Sequence, residues 1–387
     1  MLLAVLVATL TPSGGAPQPI SLCLLCGDRG AADALRNVIL FAPLGATIAL
    51  CGWRGAWVAF APALLSLAVE TAQIWIPGRD ASLGDVVFNT VGAAVGFAVV
   101  RRSAWWLRPR AGHKVLLMVG TLGVVLGVLG ATGVLFQQDL PRSTYWGQWT
   151  PDLGHLQWYR GHVLQASVGP RDLPGGGPLA NSAEARALLL ARAPLLIRAV
   201  GGPRVPALGS LFSIYDGQER EIVLVGPDRD DLVLRYRTRA SALRLEQPGL
   251  RAEGALRGIA AGDSLDVVVR ADGNGYCLGV NGRASCGLGF TVGRGWRLIS
   301  FTEAFPSWLR LLLDDLWVGF MLVPLGFWLT GRRTGPLVVV GVAAGLVLLP
   351  AATGLMPTPP GELLGAAAGL ALGLVLHRRV AALPAAV

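Results

Sequence analysis

Charge is scarce in this chain. Asp, Glu, Lys and Arg make up 15% of its 387 residues, against about 25% in soluble domains. Hydrophobic residues fill 53% and the mean hydropathy is +0.54, which excludes an ordinary soluble protein. Histidine is down to four and cysteine to five. No nucleophile, histidine or metal-ligand cluster accompanies the polar motifs below, so binding is better supported than chemistry. No catalytic residue and no metal centre are expected. The first residues lack the basic start of a secretory signal, and the apolar run 1–11 is too short to cross a bilayer. An upstream segment is the expected explanation.

The apolar text that is present falls into runs at 1–11, 36–52, 56–76, 86–100, 115–136, 316–331, 336–355 and 363–376. A span needs roughly 17–25 residues, so about eight spans are expected, the shorter ones borrowing flanking residues. The net charge of +9 does not point to nucleic acid, because the basic residues sit in short loops between runs. Arg54, the group Arg101, Arg102, Arg108, Arg110 and Lys114, then Arg332 and Arg333, then Arg378 and Arg379 fall on alternate loops. That pattern retains those loops in the cytoplasm. It leaves 137–307 outside a bacterial inner membrane and the C-terminus inside. Trp53, Trp57, Trp75, Trp105, Trp106, Trp308 and Trp328 lie near span ends, where amphipathic rings favour headgroup depth.

The segment 137–307 reads differently. LFSIYDG, REIVLVG, DLVLRYRT, SLDVVVRA, GYCLGV and WRLISF alternate like short strands, with turn signals such as Asp216-Gly217 between them. Strands at this spacing predict an antiparallel sandwich. Asn281-Gly282 is a two-residue hairpin turn. Counting back from it pairs Val280 with Arg283, Gly279 with Ala284, Leu278 with Ser285 and Cys277 with Cys286, which predicts a disulfide across the hairpin. Cys23 and Cys26 form a C-x-x-C in a segment expected outside, where a local disulfide is favoured over a metal or redox role. Cys51 is read as an inert apolar residue.

The strand order resembles the concanavalin A-like, or laminin G-like, jelly roll. That resemblance implies glycan or protein binding on a sheet face, sometimes with calcium, for which Asp272 and Asn274 would be the ligands; a hairpin turn explains those two equally well. Some relatives hydrolyse glycans with a carboxylate set on one strand. Here Glu219 and Glu221 are expected on one strand face, with Val223 next and no third acid, so hydrolysis is not expected.

The first hundred residues hold an uneven concentration of polar groups for membrane-proximal text. TLTP, DALRNVILFAPLG, ETAQ, PGRDASLGD and VVFNTVGAAVG resemble the VanZ-like family in order and spacing. Asp33, Asn37, Pro43, Gly45, Glu70, Gln73, Pro77, Gly78, Arg79, Asp85, Asn89, Gly92 and Gly96 stand at its motif positions. The resemblance implies an association with low-level teicoplanin resistance and leaves the molecular activity open. Read physically, Glu70 and Gln73 share a helix face, and Asp85, Asn89, Gly92 and Gly96 form one stripe whose glycines allow close helix approach. Ser82 and Asp85 read as a capping box. Asp33, Asn37, Glu70, Gln73, Arg79, Asp85 and Asn89 are therefore a predicted cluster at the outer leaflet. They act either as a lock between helices or as a site for an anionic group at a helix N-terminus.

The C-terminal text echoes this unit. Pro324-Leu325-Gly326 mirrors Pro43-Leu44-Gly45, while Glu362, Gly369 and Gly373 fall on Asp85, Gly92 and Gly96 at an offset of 277. Ala366 replaces Asn89, and counterparts of Glu70, Gln73 and Arg79 are missing.

The whole reads as an α-helical polytopic membrane protein with an inserted extracytoplasmic all-β sandwich. Its parts are a VanZ-like unit at 1–110, a connecting span at 111–136, the sandwich at 137–307 and a degenerate repeat at 308–387. The leading expectation is a non-enzymatic envelope protein that binds a glycan or glycan-bearing lipid. A transporter or enzyme acting on an anionic polyprenyl-type lipid, and a scaffold for a protein partner, are the alternatives.

Overall fold

A backbone in hydrocarbon must satisfy its own polar groups, so the apolar runs have to fold as helices. A computed structural model describes residues 9–11, 21–55, 57–79, 81–154, 156–300, 305–329 and 334–382. Its long helices are α1 Gly30–Leu50, α2 Trp57–Gln73, α3 Leu83–Arg101, α4 Ala111–Leu135, α5 Ser307–Trp328, α6 Thr334–Thr353 and α7 Pro360–Ala382. Six are long and apolar enough to cross a membrane, and α2 is a shorter apolar helix of 17 residues. The protein is a multi-pass membrane protein. Residues 1–8 of the first apolar run, and the pair Arg332 and Arg333, lie outside the described residues.

Two helices begin well before their apolar runs. Helix α1 starts at Gly30 and takes in Asp33 and Arg36, and α5 starts at Ser307 and takes in Arg310 and Asp314. Each of these side chains is paired, which removes the cost of carrying charge on such a helix.

Glycine sets the tightest helix contacts. Helix α1 lies along α3 so closely that a Cβ on Gly92 would collide with the Val38 carbonyl, and one on Gly96 with that of Ala42. Helix α5 lies along α7 in the same way, Gly369 facing Gly319 and Gly373 facing Val323. The two pairs correspond residue for residue: α5 follows α1 at an offset of 281 and α7 follows α3 at 277. The repeat is therefore one of packing register as well as of letters.

Between the two halves stands the expected sandwich. Its sheets have six strands each, in the orders β4-β1-β6-β7-β8-β9 and β12-β11-β10-β5-β2-β3, and every pairing is antiparallel. The first sheet contains β1 Tyr145–Trp149, β4 Gly176–Pro178, β6 Phe212–Asp216, β7 Glu221–Asp228, β8 Asp231–Tyr236 and β9 Leu250–Ala252. The second contains β2 His162–Val168, β3 Arg171–Asp172, β5 Leu195–Val200, β10 Ser264–Asp272, β11 Gly275–Val280 and β12 Arg283–Leu288. Asn281 and Gly282 take φ of 48° and 81°, the left-handed pair a type I′ turn requires. The register is Val280↔Arg283, Gly279↔Ala284, Leu278↔Ser285, with an irregularity beyond Leu278. Cys277 and Cys286 are bonded there with Cα atoms 4.0 Å apart, and Cys23 is bonded to Cys26. Cys51 is free and exposed.

Two expectations fail in the sandwich. Residues 296–300 of WRLISF are not a strand, because Trp296 and Arg297 belong to a 3-10 helix, Val292–Leu298, and Phe301 lies outside the described residues. Both of those adjacent side chains bond to Asp314, which a strand would forbid by sending them to opposite faces. Glu219 does not share a strand face with Glu221: it sits at φ 59° in the turn before β7.

The sandwich core runs on without a break into α4, α5 and α6, from Ile214 and Leu278 to Leu129, Leu322 and Val342. Phe136, at the end of α4, stacks on Phe290 with ring centroids 4.2 Å apart. One end of the helix assembly thereby seats the sandwich.

Candidate binding site at the sandwich end of the helices

The seven predicted cluster residues divide into two groups. Asp33, Gln73, Arg79 and Asp85 line a cleft of about 600 Å³, together with Asp28, Arg29 and Ser82 among others. Asn37, Glu70 and Asn89 lie outside that lining and hold its walls. Asn37 Nδ2 donates to Asp85 Oδ1 at 2.8 Å, which ties α1 to the start of α3. Asn89 Nδ2 donates to Ser66 Oγ at 2.8 Å, which ties α3 to α2. Both bonds are between helices, so these amides do the locking work.

Glu70 has a role that spacing did not reveal. Its Oε2 accepts the backbone N–H of Ser82 at 2.8 Å, while Ser82 Oγ accepts from Gly84 N at 3.1 Å. Ser82 is the N-cap of α3, but the expected reciprocal acid is not Asp85. A glutamate from the neighbouring helix takes that place, which leaves Asp85 for the cleft.

The remaining lining is polar and of mixed charge. Arg79 Nε donates to the Thr11 carbonyl at 2.8 Å, and Gln73 Nε2 to the Thr9 carbonyl at 2.9 Å. Gln73 is 6% exposed, and its Oε1 meets no hydrogen-bond partner among the described residues. A buried acceptor on a cleft wall is costly when unfilled and becomes useful once a hydroxyl arrives. Asp33 pairs with Arg36. Arg36 Nη1 and Arg29 Nε in turn reach Glu246 of the sandwich at 3.1 and 3.3 Å. Burial pushes the Glu246 carboxyl up from the usual range, and Arg29 and Arg36 oppose that shift.

The second unit carries the same positions in a closed form. The offset of 281 that places Pro324 on Pro43 also places Asp314 on Asp33, and 277 places Glu362 on Asp85. Both acids are buried, at 3% and 1% exposure. Both are covered by the sandwich. Arg297 Nη2 meets Asp314 Oδ2 at 2.5 Å, and Arg297 Nε and Trp296 Nε1 donate to Asp314 Oδ1 at 3.1 and 2.8 Å. Glu362 accepts from the Thr291 hydroxyl and, at 2.9 Å, from Gly293 N. One short segment, Thr291 to Arg297, thus occupies in the second unit what is a cleft in the first. Burial, then the nearby Arg294, pulls the Arg297 pKa down to about 10, which still leaves it cationic at neutral pH.

Sequence reasoning missed Glu246, Asp314 and Arg297. Asp314 was within reach, since the Pro-Leu-Gly alignment carries it onto Asp33. Nothing local marks Glu246, whose partners lie some two hundred positions away in the chain. The candidate calcium ligands are both engaged. Asp272 Oδ2 accepts from Gly287 N at 3.0 Å, and Asn274 Nδ2 donates to the Leu355 carbonyl at 2.7 Å. Asp272 also lies near the sulfurs of Cys277 and Cys286, which are spent in a disulfide.

No curated protein and no solved structure matches the chain. Residues 7–107 match the family model described as VanZ/LLP1. That stretch includes every one of the seven cluster residues, so the part of this multi-pass membrane protein that builds the cleft is the part that matches this family.

Proposed function

We propose that the protein is a non-enzymatic envelope protein of a bacterial inner membrane, with its sandwich facing outward, that holds the headgroup of an anionic, glycan-bearing lipid in the Arg79 cleft. The observation that carries this reading is the lining. The guanidiniums of Arg29 and Arg79 and the carboxylates of Asp28, Asp33 and Asp85 line a single volume of about 600 Å³, with Gln73 in the same wall. A guanidinium suits a phosphate oxygen. Carboxylates and an amide oxygen are acceptors and suit sugar hydroxyls. A simple anion would not use three carboxylates, and a neutral sugar would not use two arginines. The repeat supports the choice of unit, since its own version of the cleft is filled from within the chain.

By occupying such a lipid the protein would alter sensitivity to glycopeptides such as teicoplanin. Native mass spectrometry in mild detergent, with a polyprenyl-diphosphate glycan as probe, tests the reading. The wild type is expected to retain the lipid, and Arg79→Ala and Gln73→Leu to lose it while keeping their fold. Equal retention of polyprenyl phosphate lacking sugar would remove the glycan from the proposal, and no retention of either would remove the cleft.

A further inference from the structure

A second cavity lies between the sandwich and the start of α5, and the arginines it gathers are unusual for that place. It has a volume of about 420 Å³ and is walled by Arg251 of β9, Arg294 and Arg297 of the 3-10 helix, and Arg310 of α5, with Ser307 and Leu311 at its edge. Glu253 is the one acid in that lining. Four guanidinium groups around one small volume repel one another, the more strongly the lower the local dielectric. Arg297 shows the strain: burial and the neighbouring Arg294 lower its proton affinity.

Acids steady these arginines, and all of them but Glu253 lie outside the lining. Arg251 bonds to Asp231 at 2.9 Å and Asp228 at 2.5 Å. Arg297 turns its Nε and Nη2 edge to Asp314. Arg310 Nη2 reaches Glu253 at 2.8 Å. A guanidinium has five N–H donors in a fork, so one edge bound to a carboxylate leaves the others for the cavity.

Position identifies what would fill it. Ser307 opens α5, and the next residue, Trp308, is 65% exposed, as is Leu311 at 57%. An exposed tryptophan on the first turn of a spanning helix marks headgroup depth, and an exposed leucine one turn on faces lipid. The cavity therefore opens where the phosphates of the sandwich-side leaflet lie.

We propose that the cavity formed by Arg251, Arg294, Arg297 and Arg310 binds the phosphate of an anionic lipid headgroup at the foot of α5. The site is separate from the Arg79 cleft and does not depend on the function assigned to that cleft. Arg294 is held as well, by Asp314 at 3.4 Å and by the Gly289 carbonyl, so all four guanidiniums are fixed in place and give the site its shape. A soluble phosphate ester would meet the same donors, and the experiment separates the two sources.

The full chain would be placed in nanodiscs of phosphatidylglycerol mixed with phosphatidylcholine, and the retained lipids counted by native mass spectrometry after detergent extraction. The expected result is enriched phosphatidylglycerol, reduced about tenfold in Arg294→Gln/Arg310→Gln, the equivalent of one lost charge-assisted bond. Glu253→Gln removes the acid from the lining and is expected to raise retention, an effect that unfolding could not imitate. Arg79→Ala should leave this lipid in place, which separates the two sites. Enrichment that resists an inorganic phosphate wash assigns the site to lipid. Thermal stabilisation of delipidated protein by inorganic phosphate alone, lost in the double variant, assigns it to a soluble ester. Equal retention of the two lipids by the wild type, with no phosphate stabilisation, overturns the proposal. So does a Glu253→Gln variant that retains less.

Discussion

Arg297 and Asp314, 17 positions apart in sequence, form a two-point ion pair that binds the sandwich to α5, with both residues less than a tenth exposed. Removing one partner of such a pair leaves a bare buried charge and costs about 3–5 kcal/mol. Arg297→Ala is expected to lose that much in unfolding titrations. In an Asp314→Asn background the same change should cost clearly less, because residues in direct contact couple.

The two equivalent acids should respond differently. Glu362 holds the Thr291 hydroxyl and Gly293 N in a closed interior, so Glu362→Ala strands two donors and is expected to cost about 2–4 kcal/mol. Asp85 borders an open cleft where water can replace its carboxylate. Asp85→Ala should cost about 1 kcal/mol or less, while abolishing retention of the glycan lipid. Equal losses of stability would mean that the first cluster is a lock like the second.

Glycine substitutions divide along the helix contacts. Gly96→Leu has to part α3 from α1 at the Ala42 carbonyl and is expected to prevent accumulation of folded protein. Gly123, on α4, has nothing near its Cβ position. Gly123→Ala should change stability by no more than about 0.5 kcal/mol, measured by the midpoint of thermal unfolding.

The hairpin disulfide closes a short loop that the Asn281-Gly282 turn already favours. Reducing Cys277–Cys286 should cost about 2 kcal/mol, toward the lower end for native bridges. The experiment is a comparison of unfolding midpoints for wild type and Cys277→Ser/Cys286→Ser, each with and without dithiothreitol. The serine variant should not respond to reductant in this step.

A considerable part of the fold could be read from the letters. The helices followed from runs of apolar residues, and the β11–β12 register from one dipeptide, because both depend on neighbours within a few positions. The grouping of polar residues at one end of the first unit was legible for a related reason: residues three or four apart on a helix share a face. The division of that group was not. Whether Asp85 caps its own helix or faces a cleft depended on Glu70, which reaches the same N–H from a separate helix. A capping pattern read in one dimension cannot include a competitor from outside it.

The sequence by itself determined a membrane protein with a β insertion and a repeat in which glycine sets helix approach. Those are consequences of hydropathy, periodicity and side-chain size. Only the tertiary structure decided that Thr291 to Arg297 fills the second unit, that Arg29 and Arg36 are satisfied by Glu246, and that four arginines meet beside α5. Each of these joins charged groups across chain separations that no local pattern encodes. Low-dielectric surroundings make such pairings decisive for where the sandwich sits, and burial, which creates those surroundings, exists only once the chain has folded.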